Sequence, residues 1–296
     1  MGRKGWVVLA FASVYIIWGS TYLSIRIAVE TMPPFLMAGI RFLIAGALLY
    51  VWAISRGESR PARFHWRSAF IIGGLLLLGG NGGVSWALQT VPSGTAALLV
   101  ATIPLWMVLI EWLRPGGVRP TGRVFLGLGL GFVGIAILIG PQQITGGGQV
   151  PLVGALVIIM AALAWATGSI YSRSAKMPDS PLISTAMEML AGGALLLLVG
   201  SLTGEWAALD ASQISPRSLL ALVYLIFFGS IIAFTAYIWL LQVSTPARVS
   251  TYAFVNPVVA VFLGWAILGE TLSANTLIAA AIIISAVALI TATRSQ

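Results

Sequence analysis

Cysteine is absent from the 296 residues, and histidine occurs once, at His65. The chain therefore forms no disulfide, and it cannot assemble a histidine-based metal site or a serine–histidine–aspartate triad. Aspartate is missing from every long apolar stretch, which excludes a paired-aspartate protease within a membrane. The glycine-rich runs lack the Lys-Ser/Thr of a phosphate-binding loop. These absences argue against an enzyme, a metal site and a bound cofactor.

Charge is also scarce: 8% of the residues are charged and 59% are hydrophobic. A soluble domain carries roughly 25% charged residues. A bilayer core of ~30 Å needs roughly 20 mostly apolar residues per helix. Ten stretches meet that need: Trp6–Ile25, Phe35–Ile54, Ser68–Thr90, Gly94–Leu113, Val124–Gly140, Leu152–Tyr171, Leu182–Thr203, Ser218–Gln242, Val249–Leu268 and Leu272–Ala292. The sequence predicts one all-α integral membrane domain of ten transmembrane helices.

The net charge of +8 does not indicate a nucleic-acid partner, because of where the basic residues lie. If the N-terminus is cytoplasmic, all of the 16 Lys and Arg residues except Arg26, Arg41 and Arg217 fall on the cytoplasmic side. The positive-inside rule then predicts a multi-pass protein of the cell's inner membrane with both termini in the cytoplasm. Anionic lipid headgroups are the expected counter-charge. No further partner or oligomer is required.

The sequence repeats itself. With a constant spacing of 147 residues, Trp165, Arg173, Ala175, Pro181, Leu190, Gly193, Ala194 and Leu195 match Trp18, Arg26, Ala28, Pro34, Leu43, Gly46, Ala47 and Leu48. Further along the spacing is 153 residues, so that Trp239, Leu241, Gln242, Pro257 and Trp265 match Trp86, Leu88, Gln89, Pro104 and Trp112. We predict two five-helix halves, residues 1–145 and 146–296. Because five is odd, the second half enters the bilayer inverted, an arrangement that transporters use to build a midplane site.

Two stretches of the sequence carry recognisable motifs. The first is Trp18-Gly19-Ser20-Thr21-Tyr22 with Pro33-Pro34 and Arg41-Phe42, and the second runs from Pro257-Val258-Val259-Ala260 through Gly264-Trp265 to Leu268-Gly269-Glu270-Thr271-Leu272. Both stretches resemble the EamA-type proteins of the drug/metabolite transporter superfamily. The resemblance implies a secondary transporter, an exporter of amino acids or other metabolites, with a central cavity between the halves. Among these proteins the chain is most similar to amino-acid exporters, including the aromatic amino-acid type. The fourth span departs from the pattern, since it ends Glu111-Trp112-Leu113-Arg114-Pro115.

Aromatic and polar side chains in the middle of predicted spans are the candidate substrate-binding residues. Small-molecule sites are mostly apolar with a few polar groups, which is the composition of this set. Tyr15, Trp18 and Tyr22 have the spacing of one helix face. The full set is Tyr15, Trp18, Tyr22, Asn81, Trp86, Thr102, Trp106, Trp165, Tyr237, Tyr252 and Asn256. The alternative is that these side chains only fill helix contacts or lie at the membrane interface.

Two features predict places where helices bend. Gly79, Gly80, Gly82 and Gly83 surround Asn81 and weaken the helix in the third span. Pro104 and Pro257 occupy matched mid-span positions, where each removes a backbone hydrogen bond. Interrupted helices at matched positions of two halves indicate a transporter site, although a static kink remains the alternative.

Arg41 and Glu188 are ionisable residues within predicted spans, and they are repeat equivalents. Such residues cost ~2.5–3.5 kcal/mol on insertion scales and are functional candidates for that reason. We consider both for gating, and Glu188 for proton coupling, with snorkelling or a structural hydrogen bond as the alternative for each.

These observations predict an alternating-access exporter of small metabolites, with amino acids of broad or apolar and aromatic type as the leading substrates. The alternatives are a multidrug or other metabolite exporter, a passive pore, and a membrane assembly or lipid-flipping subunit that transports nothing. The sequence leaves open the substrate, the choice between proton coupling and uniport, the direction of net flux and the conformation.

Overall fold

The computed structural model describes residues 2–91, 93–114, 116–117, 119–139, 152–268 and 274–291. Seven helical spans there are long and apolar enough to cross a membrane, and three shorter apolar helices fall where the fourth, fifth and tenth spans are predicted. The elements are α1 (Arg3–Ala28), α2 (Pro34–Ser55), α3 (Arg63–Ala87), α4 (Ser93–Val100 and Ile103–Leu113), α5 (Gly122–Ile139), α6 (Leu152–Ser172), α7 (Pro181–Leu202), α8 (Pro216–Val243), α9 (Pro246–Val249 and Tyr252–Leu268) and α10 (Ala274–Thr291). The predicted all-α membrane class is confirmed, and this set of helices fits the ten predicted spans.

Local sequence explains where several helices begin. Pro181, Pro216 and Pro246 occupy the first turns of α7, α8 and α9, where a missing N–H costs nothing. A Ser or Thr before each proline accepts a hydrogen bond from a backbone N–H of the first turn. The start of α2 uses another device: Glu205 accepts from the N–H groups of Phe35 and Leu36, at 3.2 and 2.8 Å. A carboxylate is favourable at the positive end of the helix dipole.

The contact between α2 and α7 is built from repeat-equivalent residues. A methyl group placed on Gly46 would lie 3.0 Å from the carbonyl oxygen of Ala186. A methyl group on Gly193, the equivalent of Gly46, would lie 3.1 Å from the carbonyl oxygen of Gly39, the equivalent of Ala186. Small residues let helices approach closely in lipid, where no hydrophobic force draws them together. The two halves therefore meet here in a self-complementary way.

Several other helix pairs follow the same symmetry. Helix α1 packs on α8 and α9, and its counterpart α6 packs on α3 and α4. Helices α5 and α10, the last of each half, pack on each other. Exchanging the halves leaves this list of pairs unchanged, as expected for two repeats related by a pseudo-two-fold axis.

Two arginines cap helices in matching ways. Arg26, at the end of α1, donates to the carbonyl oxygen of Leu88 just past α3. Its equivalent Arg173 donates to the carbonyl oxygens of Leu241, the equivalent of Leu88, and of Ser244, at 2.7 and 2.8 Å. The last carbonyls of a helix lack intrahelical partners and lie at the negative end of its dipole, so a cation stabilises them. The repeat-equivalent arginines Arg26 and Arg173 therefore make equivalent hydrogen bonds, one in each half.

Helices α4 and α9 are both interrupted. In α4 the interruption falls at Ala101 and Thr102, and Pro104 lies in the first turn of the following segment. In α9 it falls at Ser250 and Thr251, about one turn earlier than the repeat spacing predicts, and Pro257 lies inside the second segment. The predicted boundary between the halves, at residues 145 and 146, lies outside the described residues.

Candidate functional site

A cavity opens between the two halves, where α1, α2, α3, α4, α6 and α9 meet. It contains about 520 Å³ of empty space, which includes its solvent-filled part. Six of the predicted substrate-binding residues line the cavity: Trp18, Tyr22, Asn81, Trp165, Tyr252 and Asn256.

Four aromatic residues, here called the aromatic cluster, lie at the centre of the molecule: Trp18 of α1, Trp165 of α6, Tyr237 of α8 and Tyr252 of α9. The rings of the repeat mates Trp18 and Trp165 meet edge to face, with centroids 5.4 Å apart. Trp18 also contacts Tyr237 and Tyr252, at 4.9 and 5.1 Å. Such pairs contribute about 0.5–1.5 kcal/mol each beyond their buried area. The cluster therefore joins α1 of the first half to three helices of the second half, α6, α8 and α9.

Hydrogen bonds fix the orientation of these rings. The Trp165 indole donates to the Tyr237 hydroxyl at 2.9 Å, and this hydroxyl also bonds to Ser169 at 2.5 Å. The Trp18 indole donates to the carbonyl oxygen of Gly229 at 3.0 Å. Gly229 lies in a π-helical segment of α8, Leu225–Ile232, and α3 has a π-helical segment at Gly74–Gly82. Because a π turn leaves some carbonyls without their usual partner, it gives the indole an acceptor.

The predicted hinge glycines belong to or border the π segment of α3. A methyl group on Gly80 would lie 2.7 Å from the Trp165 ring, and one on Gly82 would lie 2.7 Å from Leu196. A methyl group on Gly79 or Gly83 would meet Ala164 or Ala161 at about 3 Å. These glycines let α3 pass close to α6 and α7, which holds Asn81 at the cavity.

Arg41 is buried beside the same cavity, with 2% of its surface exposed. Its Nε atom donates to the hydroxyl of Ser230 at 2.7 Å, and Nη1 lies 3.5 Å from the side-chain oxygen of Asn81. Its guanidinium carbon is 4.6 Å from the centre of the Phe42 ring. Sequence reasoning missed Ser230 and the cavity-lining Thr21. Ser230 matches Leu77 in the first half, so the repeat gave no signal for it. The one available signal was a polar residue within the apolar run of α8.

Glu188, the repeat equivalent of Arg41, lines a second pocket. This pocket contains about 270 Å³ of empty space and is also lined by Ser172, Arg173, Ser184 and Gln242. Glu188 is 1% exposed, and its Oε2 atom has no hydrogen-bond partner among the described residues. Ser172 and Glu188 are the repeat equivalents of Ile25 and Arg41 in the first cavity. The linings of the two spaces therefore share two repeat-equivalent positions.

The aromatic cluster borders the first cavity and is adjacent in sequence to a residue of the second pocket. Trp18, Trp165 and Tyr252 line the first cavity, whereas Tyr237 lies behind them and is fully buried. Ile238, the next residue along α8, lines the second pocket. The cluster therefore forms part of the wall of the first cavity, and α8, which carries Tyr237, also reaches the second pocket.

Tyr15 of α1 and Asn256 of α9 make hydrogen bonds that connect α1 to the interrupted part of α9. With its amide nitrogen turned toward them, Asn256 donates to the carbonyl oxygens of Tyr15 and Tyr252, at 3.2 and 3.0 Å. The Tyr15 hydroxyl bonds to the hydroxyl of Thr251 at 2.6 Å. Tyr15 therefore contacts the interruption of α9 rather than the cavity.

Besides Tyr15 and Tyr237, three predicted binding residues lie away from the cavity wall. Trp86 is 36% exposed on the outer surface of α3. Thr102 donates to the carbonyl oxygen of Leu99 at 2.8 Å, within its own chain segment. Trp106 is partly buried, and its ring N–H has no partner among the described residues.

Comparison with known proteins agrees with this architecture. The model of the EamA-like transporter family matches the chain twice, over residues 5–140 and 152–292. This chain belongs to the EamA-like transporter family. It is therefore a multi-pass membrane transporter that contains two copies of the family's repeat.

Relatives of this EamA-like transporter carry transporter names. The chain is 42% identical to the "Uncharacterized inner membrane transporter YedA" of Escherichia coli (strain K12), over 95% of the chain and 89% of the relative. It is 26% identical to the "Uncharacterized transporter YoaV" of Bacillus subtilis (strain 168), over 94% of both. A solved structure described as "Crystal structure of protein" shares the fold, with a TM-score of 0.76, 23% identity and 98% coverage of both chains.

Proposed function

We propose that this EamA-like transporter exports small amphipathic metabolites by alternating access, with amino acids that have apolar or aromatic side chains as its main substrates. The observation that carries the proposal is that the repeat-equivalent residues Arg41 and Glu188 line two separate spaces, a first cavity and a second pocket. In this proposal the aromatic cluster is the barrier between the two spaces. Alternating access needs one site that reaches each side of the membrane in turn, through structures that inverted halves provide in duplicate.

The lining of the first cavity supports the substrate class. Trp18, Tyr22 and Trp165 offer aromatic surface for an apolar side chain, and Asn81 offers an amide for a polar group. Arg41 brings a single positive charge to the wall, and the described lining contains no acidic residue. A substrate with one carboxylate and an apolar body matches this lining better than a sugar phosphate, which needs several cations.

The charge pattern supports an orientation. With both termini cytoplasmic, Arg26 and Arg41 lie in the outer half of the membrane, and Arg173 and Glu188 lie in the inner half. The cavity beside Arg41 then faces outward, and the smaller pocket beside Glu188 marks the closed inner pathway. This is the conformation in which an exporter releases its substrate.

Glu188 is the proposed coupling group. The Glu188 carboxylate is buried, and its Oε2 atom has no hydrogen-bond partner among the described residues. Such a group is costly as an anion, so proton binding and closure of its pocket are linked. Its titratable neighbours include Arg173, which lines the same pocket, and Tyr237, which interacts with it electrostatically. A proton taken up when the pocket is open to one side and released when it is open to the other would drive export.

The test is transport of labelled amino acids by the purified chain in proteoliposomes, with and without a proton gradient. The proposal predicts saturable flux of apolar and aromatic amino acids that the gradient stimulates. Movement of drugs or sugars without movement of amino acids would overturn the substrate class. Unsaturable flux would indicate a pore, and no flux of any solute would favour the assembly or lipid-flipping subunit.

A further inference from the structure

Arg41 is a buried cation that the described part of the chain does not neutralise. The ion pair found there joins Arg114 to Glu111, at the end of α4. Glu188 lines the other pocket, and Glu205 is bound to the start of α2. Removing a guanidinium from water is expensive unless an anion or several acceptors replace its hydration. The protein contacts of Arg41 therefore stabilise its positive charge only in part.

The hydrogen bonds of Arg41 leave some of its guanidinium N–H donors without an acceptor among the described residues. A guanidinium carries five N–H donors in one plane. Ser230 takes the Nε donor at 2.7 Å, and Asn81 accepts from Nη1 at a long 3.5 Å. The structure gives Nη2 no acceptor among the described residues. The two Nη atoms therefore keep N–H donors for a ligand. Because Arg41 lines the cavity, a ligand in the cavity can reach it.

A glycine in α8, Gly229, leaves room for the Arg41 side chain. A methyl group on Gly229 would lie 2.9 Å from Nη2 of Arg41 and 3.1 Å from Thr21. The glycine therefore leaves the space in which the guanidinium sits, between α8 and α1. The Phe42 ring on the same helix supports the cation from another side. The position of the charge is thus fixed by α1, α2, α3 and α8 together.

We propose that Arg41 binds the carboxylate of the transported molecule, with Ser230 and Asn81 holding the guanidinium in place. The inference rests on the proposed function and narrows it: a substrate of the first cavity must carry a carboxylate. A carboxylate can accept two parallel hydrogen bonds from one guanidinium, a geometry that lysine cannot reproduce. The aromatic cluster then receives the apolar side chain of the same molecule.

The experiment compares four probes that share a phenyl ring for binding to the purified full chain in nanodiscs: phenylalanine, phenylalaninamide, phenylethylamine and phenylacetate. Isothermal titration calorimetry measures affinity without requiring transport. We expect phenylalanine and phenylacetate to bind, and both probes without a carboxylate to bind roughly ten- to a hundredfold more weakly, the range for charge-assisted hydrogen bonds. Equal affinity for phenylalanine and phenylalaninamide would overturn the inference without any variant.

Variants assign the effect to the residue. Arg41→Gln is expected to erase the preference for the carboxylate probes, and Arg41→Lys to restore it in part, because lysine keeps the charge and loses the fork. Arg217→Gln, at an exposed position in the first turn of α8, is the control and should retain wild-type selectivity. Retention of carboxylate preference by Arg41→Gln would overturn the inference. If Arg41→Gln does not fold, the probe series on the wild-type chain and on Arg41→Lys decides the question.

Failure of the inference and failure of the proposed function give different results. Carboxylate-selective binding in nanodiscs without amino-acid flux in proteoliposomes would support the Arg41 site and contradict the transport proposal. Flux of phenylalanine and phenylethylamine at equal rates would support transport and contradict the Arg41 site.

Discussion

Replacing Tyr237 by Phe tests the aromatic cluster as the barrier between the two spaces. The change removes one hydroxyl, which accepts from the Trp165 indole at 2.9 Å and bonds to Ser169 at 2.5 Å. It leaves the ring contacts of Tyr237 in place and leaves a buried indole N–H without a partner. An unsatisfied buried donor costs about 1–3 kcal/mol. If the cluster holds the second pocket closed, the closed state loses roughly that amount relative to the open one.

A shift of about 1–3 kcal/mol changes the ratio of the two conformations roughly 5- to 150-fold. A single cysteine in place of Ser172, which lines the second pocket, reports this ratio through its rate of labelling by a water-soluble thiol reagent. The natural absence of cysteine makes the signal specific. We expect Tyr237→Phe to raise the labelling rate at position 172 several-fold or more.

The control is Tyr224→Phe, which removes a hydroxyl of the same helix that bonds to Ser20 outside the aromatic cluster. It should leave labelling at position 172 close to the background of the single-cysteine protein. Equal effects of the two substitutions, or no effect of Tyr237→Phe, would refute the barrier role of the cluster.

Two further predictions concern coupling and packing. Glu188→Gln should abolish stimulation of efflux by a proton gradient while phenylalanine binding persists, and a fully gradient-sensitive Glu188→Gln protein would exclude this carboxylate as the coupling group. Gly46→Ala and Gly193→Ala should destabilise the protein in detergent by similar amounts, about 1–3 kcal/mol, because each methyl group meets backbone atoms of the facing helix. Gly129→Ala, where no atom lies within 4 Å, is the control for thermal unfolding; unequal effects of the first two would contradict a symmetric α2–α7 contact.

The repeat made most of the fold predictable from the sequence. The spacing of 147 residues identified Trp18 with Trp165 and Arg26 with Arg173, and the structure gives both pairs matching positions. Helix ends were less predictable. Pro104 lies close to the observed interruption of α4, at Ala101 and Thr102, whereas Pro257 does not mark that of α9, which falls at Ser250 and Thr251. A run of apolar residues encodes membrane insertion and carries little information on where its backbone hydrogen bonds are broken.

The candidate site was predictable only in part, for reasons that particular residues illustrate. Trp86 and Trp165 are both tryptophans of predicted spans, yet one is exposed and the other lines the cavity. Lipid and an amphipathic cavity both accommodate an indole, so the residue type does not distinguish them. The surroundings of Arg41 depend on Ser230, a neighbour far away in the chain that has no polar repeat equivalent. Only the tertiary contact reveals that pair.

The central claim is that two spaces on opposite sides of the aromatic cluster open to opposite sides of the membrane, one at a time. Single cysteines at Thr21, in the first cavity, and at Ser172, in the second pocket, test it by labelling with an impermeant reagent in vesicles of both orientations. The account predicts that position 21 is labelled from outside and position 172 from the cytoplasmic side. It also predicts that any condition raising one rate lowers the other. Labelling of both positions from one side, or rates that rise together, would contradict it.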